Sequence, residues 1–109
     1  MKYWTNKVTL YSLCGKQFKR AGVLEGCFWK KSDSLIYEEG RRLECAAFVC
    51  RVPYGAVILP GDVMVLGDTD AEITPAFMAE NADRAFCVSA SAAHSAPLEH
   101  TKVTGTNVR

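Results

Sequence analysis

Several signatures are missing from this 109-residue chain, and each absence excludes a class of protein. No run of about 20 apolar residues exists, so no helix of membrane-spanning length is encoded. The apolar uncharged run Val52 to Pro60 falls far short. The N-terminus, Met-Lys-Tyr-Trp-Thr-Asn-Lys, carries no apolar stretch of signal-peptide length, which argues against export by that route. Gly-rich phosphate loops are absent, since Gly61 and Gly67 stand alone. There is no internal repeat and no low-complexity block. Only two histidines, His94 and His100, occur, and no two cysteines form a C-x-x-C pair.

What is present fits one small domain, which typically takes about 100–200 residues. The hydrophobic fraction of 49% is ordinary for a globular protein and too high for intrinsic disorder. A core of modest size is affordable, with little space for a large cofactor pocket besides. No cofactor and no metal is expected.

The five cysteines, Cys14, Cys27, Cys45, Cys50 and Cys87, are an odd number, so they cannot all pair within the chain. Cys45 and Cys50 are the close couple, but an odd offset in an extended segment sends their side chains to opposite faces. That argues against a shared zinc site or a mutual disulfide, because structural zinc wants four converging ligands. Reduced cysteines packed as small hydrophobes are expected.

Formal net charge is +1, but the distribution is uneven. Residues 1–31 carry seven cations (Lys2, Lys7, Lys16, Lys19, Arg20, Lys30 and Lys31) against Glu25 alone, a net of +6. Residues 53–83 carry Asp62, Asp68, Asp70, Glu72, Glu80 and Asp83 with no Lys or Arg, a net of −6. Charge asymmetry speaks to partners rather than to fold. Solvated faces and loops are the plain account. The sharper one is contact between copies, with Lys16, Lys19, Arg20, Lys30 and Lys31 meeting Asp62, Asp68, Asp70 and Glu72, or a basic contact to DNA.

Alternation and turn residues predict about six or seven short strands. Val8–Leu13 reads as the first strand. Gln17–Trp29 follows, with Gly22 and Gly26 as sites of a bend or bulge. Lys30–Gly40 is polar and reads as a loop. Leu43–Val52 fits a strand or a short helix by composition, and Pro53, which pushes Val52 towards extended geometry, favours a central strand buried on both faces. Asp62–Leu66 predicts a strand after the Pro60-Gly61 turn, and Glu72–Thr74 a short extended piece. Thr74 and Pro75 have the chemistry of a helix N-cap and first position, opening a helix of about two turns near 75–83 that closes by Asn81. Ala85–Ala90 and Leu98–Thr104 complete the strands, with Ser91–Pro97 as a loop, Gly105 as a stop and 106–109 as a short flexible tail. The fold class is all-β: a small antiparallel barrel or sandwich with one short helix.

Candidate chemistry is thin. His100 lies in an alternating strand and reads as a hydrogen-bonded structural residue, since general acid–base work needs a partnered site. A Cys87 nucleophile would need an activating base, and no local signature supplies one. Asp68-x-Asp70-x-Glu72 resembles the start of a calcium loop, but the sixth-position Gly and twelfth-position Glu are missing. No enzyme is expected. The basic N-terminal third, with Tyr3, Trp4, Tyr11, Phe18, Phe28 and Trp29 among its cations, suggests a second reading: a nucleic-acid-binding small β-barrel using charge and stacking. A sequence pI near 7.6 is well below that typical of such domains.

The second half carries a pattern in a specific order. Ile58-Leu59-Pro60-Gly61-Asp62-Val63-Met64-Val65-Leu66-Gly67-Asp68 is followed by Glu72-Ile73-Thr74, then Ala85-Phe86-Cys87-Val88-Ser89-Ala90, then Leu98-Glu99-His100-Thr101-Lys102-Val103-Thr104-Gly105. With the Lys7–Tyr11 strand and Val52-Pro53-Tyr54, this resembles the small head–tail connector proteins of tailed phages and prophages of Gram-positive bacteria. Those are head-completion or stopper subunits, often called minor capsid proteins. The resemblance covers about half of the chain. Thr101 stands where a tryptophan is expected after the histidine, and the cysteine content is unusual. The resemblance implies a structural virion protein of the neck, assembled in the host cytoplasm. It would form a ring of copies between portal or adaptor and tail and help retain packaged DNA. No catalytic residues come with the family. Polar loops at Lys30–Gly40 and Ser91–Pro97 would be the candidate contacts to adaptor, tail or DNA.

Overall fold

The computed structural model describes residues 4–38, 41–53, 57–94 and 100–108, with the backbone alone for 32–38, 41–46, 94 and 108. Six strands and one helix follow in the order β1 (Asn6–Cys14), β2 (Gln17–Glu38), β3 (Arg41–Pro53), β4 (Val63–Leu66), α1 (Pro75–Glu80), β5 (Ala85–His94) and β6 (His100–Val108). They close into a barrel in the order β1-β2-β3-β6-β5-β4, every neighbour antiparallel. Closure removes the exposed edges that an open sheet of this size would carry. Among the described residues, no helix is long and apolar enough to cross a membrane.

β2 closes the barrel by serving two partners in succession. Residues 17–27 pair with β1, and residues 28–38 pair with β3. Register shifts against β1 fall beside Gly22 and Gly26, both at positive φ (149° and 69°), where a side chain would be strained. The bulges expected at these glycines are therefore present, and they turn the strand.

The interior is built from alternate residues of each strand. Val8, Leu10, Cys27, Phe48, Cys50, Val52, Met64, Phe86, Val88 and Val103 form its buried cluster. Phe48 and Phe86 stack with ring centroids 5.0 Å apart, and Trp29 leans on both at 5.4 and 5.3 Å. Gly105 of β6 faces this stack, because a Cβ there would strike the Phe86 ring and the Cys87 carbonyl. Outside the barrel, α1 supplies a second layer: Phe77 and Met78 cover Val63, Val65, Tyr11 and Ala85. Its N-terminus is capped as expected, the Phe77 N–H donating to Thr74 Oγ1 at 3.0 Å with Pro75 following the cap. The buried Asn107 amide ties this layer down by donating to the Met78 and Ala85 carbonyls.

Four expectations are corrected. Lys30–Gly40 is not a loop through 38: β2 continues to Glu38, since pairing with β3 satisfies the polar backbone whatever the side chains. Residues 39–40 lie outside the described ones. β3 is not buried on both faces; Phe48, Cys50 and Val52 are buried, while Ala47, Val49 and Arg51 are half-buried. The Ser91–Pro97 loop gives way to strand through His94, with 95–97 outside the described residues. Gly105 does not stop the last strand, and 106–108 are not a tail: β6 runs between β3 and β5 to Val108. Of the shorter elements, Glu72–Thr74 belongs to no strand, and the helix ends at Glu80 with Asn81 as its cap.

Candidate functional surfaces

Closing the barrel distributes the charged residues in a way the linear sequence hides. Lys16 and Lys19 are exposed at the β1–β2 turn. Arg20 is committed within the chain, donating to Asp68 Oδ1 at 3.1 Å and to the Thr69 carbonyl at 2.9 Å. Lys16 and Glu72 line the same groove, with Phe18, Ile73 and Pro75 between them. The two opposed blocks thus meet, in part, inside one molecule. Lys7 pairs with Glu25 at 3.4 Å, again locally. Pairs this exposed contribute roughly 0–1 kcal/mol.

Asp62 is withdrawn from any surface role. It is 5% exposed, and its two carboxylate oxygens accept the Leu13 N–H at 3.1 Å and the Leu59 N–H at 3.0 Å. Asp70 and Glu72 are exposed, as is Asp68 with its bond to Arg20. Lys30 is exposed and Lys31 half-buried. The calcium-like spacing at 68–72 does not produce a cage; among the described residues, no group of three or more His, Cys, Asp or Glu side chains converges on a metal position.

Nor do Cys87 and His100 form a thiol–histidine pair. Cys87 stands opposite Thr106, and His100 is six residues further along β6, about 20 Å away at strand spacing. Cys87 is exposed as a residue, but its thiol is partly desolvated, which raises it above its ordinary value, opposite to what a nucleophile needs. His100 is fully buried, and its Nε2 lies 2.7 Å from Arg51 Nη1, with the Trp4 ring edge-on at 5.1 Å. The structural reading of His100 holds.

Sequence reasoning compared Cys45 with Cys50 and missed Cys27 beside Cys50. Trp29 is opposite Cys50, so Cys27 is its diagonal neighbour on the inner face of the barrel. The two free thiols are fully buried and hydrogen-bonded, and Cys27 in turn donates to the Leu24 carbonyl at 3.5 Å. That hydrogen bond, followed by burial, pushes Cys50 far up, so it stays a thiol and acts as a core hydrophobe. Cys14 and Cys87, by contrast, are exposed and do not pack as expected.

A second arrangement was also invisible in the sequence. Phe28, Arg51, Lys102 and Ala92 are successive cross-strand neighbours on the outer face of β2, β3, β6 and β5. Lys30, Val49, Thr104 and Ala90 form the adjoining row. Only register brings Lys30, Arg51 and Lys102 together; no local signal announces it.

The aromatic residues of the N-terminal third are taken up in packing. Trp4 lies over Phe28 and His100, Trp29 is in the barrel stack, and Tyr11 is buried with its hydroxyl donating to the Ala71 carbonyl at 2.7 Å. Tyr3 lies outside the described residues. None of the five described members of this set is exposed, so no exposed stacking platform for bases is available among them. Compared with known proteins, the chain matches no family model, no curated protein and no solved structure.

Proposed function

We propose that the chain is a structural subunit of a tailed-phage neck. It would form a ring with copies of itself between portal or adaptor and tail, help retain packaged DNA, and reside in the virion after assembly in the host cytoplasm. The observation that carries this reading is the ordered pattern at 58–68, 72–74, 85–90 and 98–105, which resembles head-completion proteins.

The barrel is compatible with such a part. β2 and β3 continue as a two-stranded ribbon past the end of their neighbour. Leu35–Glu38 pairs with Arg41–Glu44, while β6 reaches only Cys45. A ribbon of this kind offers backbone edges to an adjacent subunit. Rings use heterologous contacts, in which two different patches of one chain meet. Exposed Lys16, Lys19, Asp70 and Glu72 would supply charge to such contacts, a smaller set than the sequence suggested.

The test is assembly with portal, adaptor and tail partners, read by native mass and by negative-stain electron microscopy. Ring-shaped particles incorporating the chain are expected. Replacing residues 35–44 by a short hairpin turn should leave the barrel folded and abolish incorporation. Failure of the full-length chain to join any connector or tail particle would refute the neck role.

A further inference from the structure

We infer that the outer face of β2, β3 and β6 around Lys30, Arg51 and Lys102 binds the phosphate backbone of duplex DNA. Arg51 and Lys102 are directly opposed across the β3–β6 ladder. Like charges in that relation repel and destabilise a sheet unless an anion lies between them. Among the described residues no such anion is present: the ion pairs are Lys7–Glu25 and Arg20–Asp68, and neither involves this face. Lys30 extends the cluster by one row, being opposite Val49, two residues from Arg51 along β3. At about 4.8 Å between strands and about 7 Å between rows, the three cations span roughly 12 Å, enough for two or three phosphates.

One of the three is already held. Arg51 donates one of its five N–H groups towards His100 Nε2 at 2.7 Å, and Trp4 backs that imidazole. The guanidinium is thereby fixed while its remaining donors stay available. Phe28 stands beside Arg51, and on the other side Val49 and Thr104, in the row of Lys30, lead into a shallow depression of about 350 Å³ that they line with Ala47, Ser89 and Thr106. Ser and Thr hydroxyls are common phosphate contacts, and small side chains let a backbone approach closely.

The same composition disfavours a protein partner. Among the described residues the exposed large apolar side chains, Leu13, Val57 and Leu59, are on none of these strands, so the described part of the face lacks the exposed aromatic or aliphatic anchor of a protein hot spot. Its described ring, Phe28, is half-buried against Trp4, so the face reads charge, not bases. The inference deepens the neck reading by giving the DNA contact a surface and rests on that reading for its biological duplex, but the binding is tested on the isolated chain.

The experiment is fluorescence anisotropy with a labelled random-sequence duplex across a salt series. Three phosphate contacts predict a slope of about −2.7 in log K against log salt, or about 40-fold weaker binding between about 50 and 200 mM. The paired substitution Lys30→Ala with Lys102→Ala should flatten the slope to about −0.9 and weaken low-salt binding by about tenfold or more. Neither lysine has a described partner, and an unchanged urea midpoint verifies the fold. Lys16→Ala with Lys19→Ala, at the β1–β2 turn, should change neither quantity. Absence of binding at low salt, equal slopes for wild type and the Lys30/Lys102 pair, or equal loss in the Lys16/Lys19 pair would each overturn the inference. Loss of self-association in the Lys30/Lys102 pair with DNA affinity intact would also overturn it, assigning the face to a protein contact. DNA binding that persists without ring assembly would count against the neck reading alone.

Discussion

Removing the Asp62 carboxylate tests how the barrel fixes its turns. Asp62→Ala deletes two acceptors at once, one for Leu13 N–H at the end of β1 and one for Leu59 N–H across the Pro60-Gly61 turn. A hydrogen bond to a charged group contributes about 1.5–3 kcal/mol, so the gross loss is about 3–6 kcal/mol. Leu13 and Leu59 are 43% and 60% exposed, so water can reach their freed amides and the lower end applies, about 3 kcal/mol. For a domain of this size that corresponds to a fall in Tm of about 12 °C. Urea unfolding followed by Trp29 fluorescence measures it, because that indole sits against Phe48 and Phe86 and reports on the core. The midpoint should drop with the m-value unchanged. Hydrogen exchange adds a local readout: the Leu13 and Leu59 amides should lose protection ahead of the β3–β6 ladder. Asp62→Asn, which keeps one acceptor, should lose about half as much. A loss below about 1 kcal/mol for Asp62→Ala, with both amides still protected, would refute the reasoning.

Two further perturbations bear on the core and the thiols. Gly105→Ala should cost at least about 3 kcal/mol, the upper end for overpacking, because one of the struck atoms is a backbone carbonyl that cannot rotate away; a urea midpoint equal to wild type would contradict the Phe86 packing. Alkylation followed by peptide mass spectrometry should modify Cys14 and Cys87 in the native protein and spare Cys27 and Cys50 until denaturant is added. Thiolate is the reacting form, and burial raises the Cys87 value, so its alkylation rate should rise through a midpoint above the ordinary thiol range; a midpoint below that range would show an activated cysteine.

The short-range signals in the sequence were reliable where chemistry is local. Thr74-Pro75 caps a helix, Gly22 and Gly26 turn a strand, and the strand expected over Asp62–Leu66 between two turns is present at Val63–Leu66. The misreadings came from pairing that no window contains. Lys30-Lys31-Ser32-Asp33-Ser34 resembles a loop by composition, yet β3 lies alongside and holds it extended. Gly105 resembles a stop, yet it is the position where the Phe86 ring needs the missing Cβ. Charge was read along the chain, so Arg20 was grouped with Lys30 when its partner is Asp68, 48 residues away. Asp62 counted as surface charge although two backbone amides enclose it. The Lys30–Arg51–Lys102 cluster depends on register across three strands, and register is the quantity a single sequence constrains least.

The place of β6 has a consequence for biosynthesis. It is the last strand of the barrel to emerge from the ribosome, yet it occupies an interior position, flanked by β3 and β5. Until it arrives, both neighbours present unsatisfied backbone to the cell, and the Phe48–Phe86 stack has no floor at Gly105. Closure of the barrel therefore waits for β6, and the nascent chain passes through a window in which two long edges are open. A truncation that removes only His100–Val108 would keep every other strand and leave a single open sheet in the order β3-β2-β1-β4-β5, with β3 and β5 as its two unpaired edges.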